Sequence, residues 1–65
     1  MPLFIIIDAK TGEVWGEPAS GEMFHPGEWR ADPAAAIRFD CRAFAAEWAQ
    51  ETPAIDSRPW RIVPA

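Results

Sequence analysis

Residues 32–51 read Asp32-Pro33-Ala34-Ala35-Ala36-Ile37-Arg38-Phe39-Asp40-Cys41-Arg42-Ala43-Phe44-Ala45-Ala46-Glu47-Trp48-Ala49-Gln50-Glu51, and how this stretch folds decides the architecture. Counted at 100° per residue, Ile37, Cys41, Phe44, Ala45 and Trp48 share one stripe, the i, i+4, i+7, i+8, i+11 spacing of a helix that faces a core. Asp32 supplies a short carboxylate for an N-cap, and Pro33 has the φ angle suited to a first helical position. Thr52-Pro53 marks the end, because the residue before a proline is pushed out of the helical region. The pattern therefore predicts one substantial helix over 32–51. Beside its apolar stripe lie two edges of opposite charge, Asp40, Glu47 and Glu51 on one and Arg38 and Arg42 on the other.

Working back toward the N-terminus, Leu3-Phe4-Ile5-Ile6-Ile7 is continuously apolar, short and rich in β-branched side chains, which favours a strand. Asp8, Ala9, Lys10, Thr11 and Gly12 carry the chemistry of a type I turn closed by a glycine in the left-handed region. Residues 13–17 form the returning strand of a hairpin. Pro18 stops it, and the following stretch to Ala31, with Gly21, Pro26 and Gly27, reads as a loop with room for a short strand near 22–25. On the other side of the helix, residues 53–59 form a turn region, and 60–63 form a closing strand between Pro59 and Pro64.

The order strand, strand, helix, strand gives a ββαβ α+β domain spanning residues 1–65. If the helix returns the chain across the sheet, the last strand runs antiparallel to the first and takes its free edge. The expected three-stranded antiparallel sheet then has the order 2-1-3, with the helix on one face. A central position explains why the first strand is apolar at both parities. Either Leu3, Ile5 and Ile7 or Phe4 and Ile6 must then face away from the helix. Two answers are open: the loop folds back and brings Met23, Phe24 and Trp29 under the sheet, or the strip is a dimerisation or partner surface.

A chain of 65 residues buries only about 60% of the surface its unfolded form exposes, so its stability is marginal. Four Trp and four Phe supply large apolar area to a small core. Trp48 and Trp60 are assigned to that core, whereas Trp15 and Trp29 read either as lids or as interface anchors. A net charge of −4 repels phosphate backbones, so direct binding of DNA or RNA is not expected. The apolar run at the N-terminus is too short for a signal h-region or a membrane span, which reads as a cytoplasmic protein, and the start at Met1 suggests a complete small gene product.

Cys41 has no cysteine partner in the chain and reads as a small buried hydrophobe on the helix stripe. With one histidine and one cysteine, no set of Cys and His ligands for zinc can be assembled. Neither Ser20 nor Ser57 lies in a nucleophile elbow, and a hydrolase would have to use His25, which reads better as part of a His25-Pro26-Gly27 turn. No cofactor and no enzymatic activity are expected. Function then rests on surfaces. On an ideal helix Asp40 and Glu47 are about 10 Å apart and Glu47 and Glu51 about 6 Å, on the scale of backbone phosphates, and no Lys or Arg stands at i±4 from either glutamate. Glu13 and Glu17 add charge in the hairpin, and Glu22 and Glu28 in the loop. Phe39, opposite the core stripe, either packs on the preceding loop or contacts a partner, and Trp29 is a second apolar candidate. The bland alternative is a solvated face that keeps a small protein soluble.

The hairpin Phe4-Ile5-Ile6-Ile7-Asp8-Ala9-Lys10-Thr11-Gly12-Glu13-Val14, the single helix, the acidity and the lack of a catalytic motif together resemble the small phage-encoded anti-CRISPR proteins. That resemblance implies a stoichiometric inhibitor in the cytoplasm of an infected bacterial host. Its partner would be a CRISPR effector, commonly a Cascade subunit of a type I system, whose basic DNA-binding surface is blocked by an acidic, DNA-mimicking face. The charge is lower than in the strongest DNA mimics, which leaves room for an apolar contact. The competing reading is a small homodimeric structural or regulatory module; the first implies a monomer or weak homodimer, the second a dimer through the uncovered sheet face.

Overall fold

The computed structural model describes residues 2–19 and 27–65. The first hairpin forms as its turn chemistry dictates. β1 (Phe4–Asp8) runs into the turn, Asp8 Oδ1 accepts the backbone N–H groups of Lys10 (2.8 Å) and Thr11 (3.2 Å), and Gly12 takes φ 82°. β2 (Val14–Gly16) returns antiparallel, with Ile7 opposite Val14. At the far end of the chain β4 (Trp60–Pro64) pairs antiparallel with β1 along its whole length, from Phe4 opposite Pro64 to Asp8 opposite Trp60. The expected central position of the first strand holds.

Among the described residues the sheet has four strands rather than three. β3 (Glu28–Arg30) lies within the stretch read as a loop and pairs antiparallel with β2, Trp15 opposite Trp29, giving the order β3-β2-β1-β4. Three residues with one apolar side chain leave almost no periodic signal. What forms the strand is the partner across from it: Trp15 and Trp29 meet edge to face with ring centroids 5.4 Å apart. The short strand expected near 22–25 lies outside the described residues, as do Ser20, Met23, Phe24 and His25.

The long helix is the main correction. Asp32 does cap, accepting the Ala34 N–H at 2.9 Å, with Pro33 at the first position, but this start produces a single 3-10 turn over Pro33–Ala35. Residues 36–39 are extended, and α1 is confined to Arg42–Glu51, preceded by Cys41. Backbone hydrogen bonding in the sheet outweighs the helix propensity of the alanines here. β1 and β2 part company beyond the Ile7–Val14 pair, and the extended segment enters the gap. The Ile37 N–H donates to the Trp15 carbonyl (3.0 Å), the Glu17 N–H to Ala35 (3.1 Å), and Phe4 and Phe39 exchange both bonds at 2.7 and 2.8 Å. Strand ends that would otherwise bury unpaired groups are thereby satisfied. Gly16 makes the approach possible, since a Cβ there would lie 2.5 Å from the Ala35 carbonyl oxygen.

The core lies between the sheet and α1. Ile6, Trp15, Phe39, Ala45, Ala49 and Ile55 are its buried members, with Trp29, Ile37, Trp48, Trp60 and Ile62 packed at its margin. Trp15 is 1% exposed and so belongs to neither the lid nor the anchor reading. Its burial removes on the order of 200 Å² from water, an upper bound of about 5 kcal/mol. α1 meets the core through Ala45 and Ala49, both fully buried. Thr52 ends α1, its hydroxyl donating to the Trp48 carbonyl at 2.7 Å, and a single-turn helix α2 (Pro53–Asp56) follows where a turn was expected. Two indoles clamp α2: Trp29 Nε1 donates to Ala54 O (3.0 Å) and Trp60 Nε1 to Asp56 Oδ1 (3.2 Å).

Ile6 and Phe4 share the core side with Ile62 and Trp15, so Leu3, Ile5 and Ile7 face away from α1 together with Val63. Trp29 lies on the α1 side with the core cluster, and does not cover that second face. Among the described residues no helix is long and apolar enough to cross a membrane.

Candidate partner-binding site

The shortened helix redistributes the residues assigned to a surface. Phe39 is 5% exposed and sits in the core, paired through its backbone with Phe4, so it is not a contact residue. Cys41, expected inside, is exposed just before the helix. Asp40 is exposed but stands in the bend ahead of α1, so the three-carboxylate row at helical spacing reduces to Glu47 and Glu51. Phe44, expected inside, is 50% exposed.

Phe39, Asp40 and Cys41 move because the helix starts only at Arg42, whereas the exposure of Phe44 comes from how α1 is turned. With Ala45 and Ala49 against the sheet, α1 is turned so that its small residues make the closest approach, and the wider side chains of the stripe move to its flank. Phe44, Glu47, Trp48 and Glu51 follow one another at i, i+3, i+4 and i+7, a continuous row along that flank. Trp48 is half-buried at its base. Phe39, Phe44 and Trp48 form an aromatic triad with centroids 5.8 Å (Phe39–Phe44), 6.1 Å (Phe39–Trp48) and 6.2 Å (Phe44–Trp48) apart, which holds the Phe44 ring from beneath. Among the described residues no hydrogen-bond acceptor reaches the buried Trp48 Nε1. Glu47 and Glu51 are exposed, and among the described residues no ion pair involves either of them or Asp40.

The hairpin glutamates are placed elsewhere. Glu13 Oε1 is 2.9 Å from Arg58 Nη1, which also reaches Asp8 Oδ2 at 3.3 Å, at the end of β1 opposite the Phe4–Phe39 pair. The guanidinium lies over the Trp29 ring, 5.2 Å from its centroid. Asp8 is 2% exposed. Burial alone would raise its pKa, but the N–H groups of Lys10 and Thr11 and the Arg58 guanidinium outweigh that and hold it below the ordinary 3.8. Glu17 is exposed beyond β2, and its carbonyl accepts from Arg30 Nη1. Trp29 spends its N–H on Ala54 and its ring face on Arg58, so its visible interactions are internal. Of the residues proposed from sequence, Glu47 and Glu51 share a surface, and Phe44 joins them.

Sequence reasoning missed Phe44 because it placed that residue in the core stripe. A signal was present: Ile37-Arg38-Phe39-Asp40 alternates apolar and charged, the period of a strand, and reading it so would have begun the helix near residue 42. Among the described residues no three of His, Cys, Asp and Glu gather as a metal-binding group. No protein-family model, curated protein or solved structure matches this chain.

Proposed function

We propose that the protein is a non-catalytic binder that occupies a basic surface on another protein through the flank of α1. In the form that the anti-CRISPR resemblance suggests, the partner is a subunit of a type I CRISPR effector and the blocked surface is the one that holds target DNA. The observation that carries this reading is the half-exposed Phe44 ring standing in one row with Glu47 and Glu51, neither of which is in an ion pair among the described residues. A partly desolvated aromatic ring flanked by carboxylates combines the two things such an interface needs. The ring supplies area that leaves water, and the charges speed association with a basic surface and exclude its polyanion.

The test is an electrophoretic shift assay with a purified type I effector complex and labelled target DNA. An equimolar amount of this protein is expected to suppress the shift. The variant Glu47→Lys/Glu51→Lys, checked for native circular dichroism, is expected to leave it unaffected. Undiminished DNA binding at saturating protein refutes the CRISPR reading.

A second reading draws on the other face of the sheet, where Leu3 is 39% exposed beside the partly buried Ile5, Ile7 and Val63. Burial of that strip between two copies gives the homodimeric module. Light scattering across a concentration series decides it, because a strict monomer removes the idea.

A further inference from the structure

The chain already contains one worked example of the chemistry its α1 flank displays. At the hairpin, an aromatic ring and two carboxylates converge on one arginine: Arg58 lies over Trp29 at 5.2 Å while its Nη1 reaches Glu13 at 2.9 Å and Asp8 at 3.3 Å. A second arginine does the same with a carbonyl in place of the carboxylates, Arg42 standing 5.0 Å from the Phe4 ring centroid and donating to Ile62 O at 3.1 Å. On the α1 flank the equivalent parts are Phe44, Glu47 and Glu51. Here one ring and two carboxylates lie within two helical turns, and no cation of the described residues is paired with the carboxylates.

We propose that this row receives an arginine side chain from a protein partner, its guanidinium stacked on the exposed face of Phe44 and hydrogen-bonded to Glu47, with Glu51 neutralising the same or a neighbouring cation. Arginine fits better than lysine for a geometric reason. A guanidinium is planar, weakly hydrated and forked, so it can lie against a ring and still offer N–H groups sideways to a carboxylate. An ammonium is compact and strongly hydrated, and would have to choose between ring and carboxylate. The aromatic support beneath also matters: Phe39 and Trp48 hold the Phe44 ring, so little side-chain freedom is lost when a ligand stacks on it.

This inference rests on the α1 flank being the binding surface and adds which cation it selects. It is tested on the intact protein with two blocked peptides, Gly-Arg-Gly-Arg-Gly and its lysine counterpart, titrated while the aromatic resonances of Phe44 and the side-chain carboxyl resonances of Glu47 and Glu51 are followed by NMR. The arginine peptide is expected to shift these groups with an affinity about two- to fivefold above the lysine peptide, the range a solvent-exposed cation–π contact supplies. Phe44→Leu should erase that preference while leaving weak binding of both peptides, and Glu47→Gln/Glu51→Gln should weaken both. Equal affinities for the two peptides overturn the arginine assignment while leaving an acidic binding face in place. An arginine preference that survives Phe44→Leu overturns it as well. If neither peptide shifts the α1 groups, the assignment falls, and the shift assay with the effector complex decides the broader reading independently.

Discussion

Single replacements of Phe39 and Phe44 by alanine separate the architecture described here from a continuous helix over 32–51. On a continuous helix Phe44 is a core residue and Phe39 a surface one; in the structure Phe39 is 5% exposed and Phe44 50%. Truncating a fully buried phenylalanine costs about 3–5 kcal/mol, because the transfer energy is lost and a cavity remains. Phe44 loses roughly half as much burial and leaves no closed cavity, so its replacement should cost about 1–1.5 kcal/mol. For a chain of 65 residues the whole stability is about 3–10 kcal/mol. Phe39→Ala is therefore expected to consume most of it, and if that variant does not fold the same comparison is made with leucine, Phe39→Leu at about 1–2 kcal/mol against Phe44→Leu at about half that or less. Urea titration followed by tryptophan fluorescence reads the difference. At a slope of about 1 kcal/mol per molar, Phe44→Ala should move the midpoint by about 1 M, and Phe39→Ala by several times more. Equal shifts, or the larger one for Phe44, would refute the extended path of residues 36–39.

Three further outcomes follow from particular contacts. Gly16→Ala places a methyl group 2.5 Å from the Ala35 carbonyl oxygen, a backbone atom with little room to retreat, so a loss of about 1–3 kcal/mol is expected in the same urea titration and a neutral result would show that residues 35–36 do not close on β2. Trp48→Phe removes the buried Nε1, which has no acceptor among the described residues and whose burial costs about 1–3 kcal/mol, against a comparable loss of ring area, so thermal unfolding should place this variant within about 1 kcal/mol of wild type rather than at the cost of a simple core truncation. Asp8 has a depressed pKa when folded, so the stability it contributes is complete above its ordinary value of 3.8 and drains away as pH falls below about 4 toward the lowered folded value; Asp8→Asn should be less stable at neutral pH and show a shallower loss on acidification, and an unchanged acid profile would contradict the role assigned to its carboxylate.

The parts of this fold that were legible in the sequence are those whose cause is local. The hairpin turn is set within five residues by the Asp8 carboxylate and the positive φ of Gly12, so reading it needs no knowledge of the rest of the chain. The C-terminal half of α1 and its stop at Thr52 are equally local. The parts misread depend on distant partners. β3 exists because Trp29 finds Trp15, and residues 36–39 are extended because β1 and β2 diverge and leave backbone groups that a helix could not serve. The Phe44 assignment failed for a related reason. A helical wheel gives the apolar arc of a helix but not which part of that arc touches the sheet, and here the alanines at 45 and 49 make the closer contact and tip the phenylalanine outward.

The protection of the sheet edge also bears on which surface is available to a partner. The register of β4 on β1, extended by the bonds from Ala65 N to Leu3 O and from Ala9 N to Pro59 O, turns the odd-numbered residues of β4 toward β1 and leaves the backbone groups of Trp60, Ile62 and Pro64 pointing outward. Pro64 has no N–H to offer, the Trp60 N–H is spent on Arg58 O at 2.8 Å, and Ile62 O accepts from Arg42 at 3.1 Å. An added strand would find the Ile62 N–H and the Trp60 and Pro64 carbonyls but no donor at 60 or 64, so recruitment through the β4 edge is weakened in the manner natural sheets use against edge-to-edge pairing. Arg42 links this edge to the helix, since the side chain that closes the edge belongs to the first turn of α1 and also lies over Phe4. With backbone pairing weakened at β4, side chains carry more of any recognition, and on α1 the aromatic ring and carboxylates that remain exposed are those of Phe44, Glu47 and Glu51.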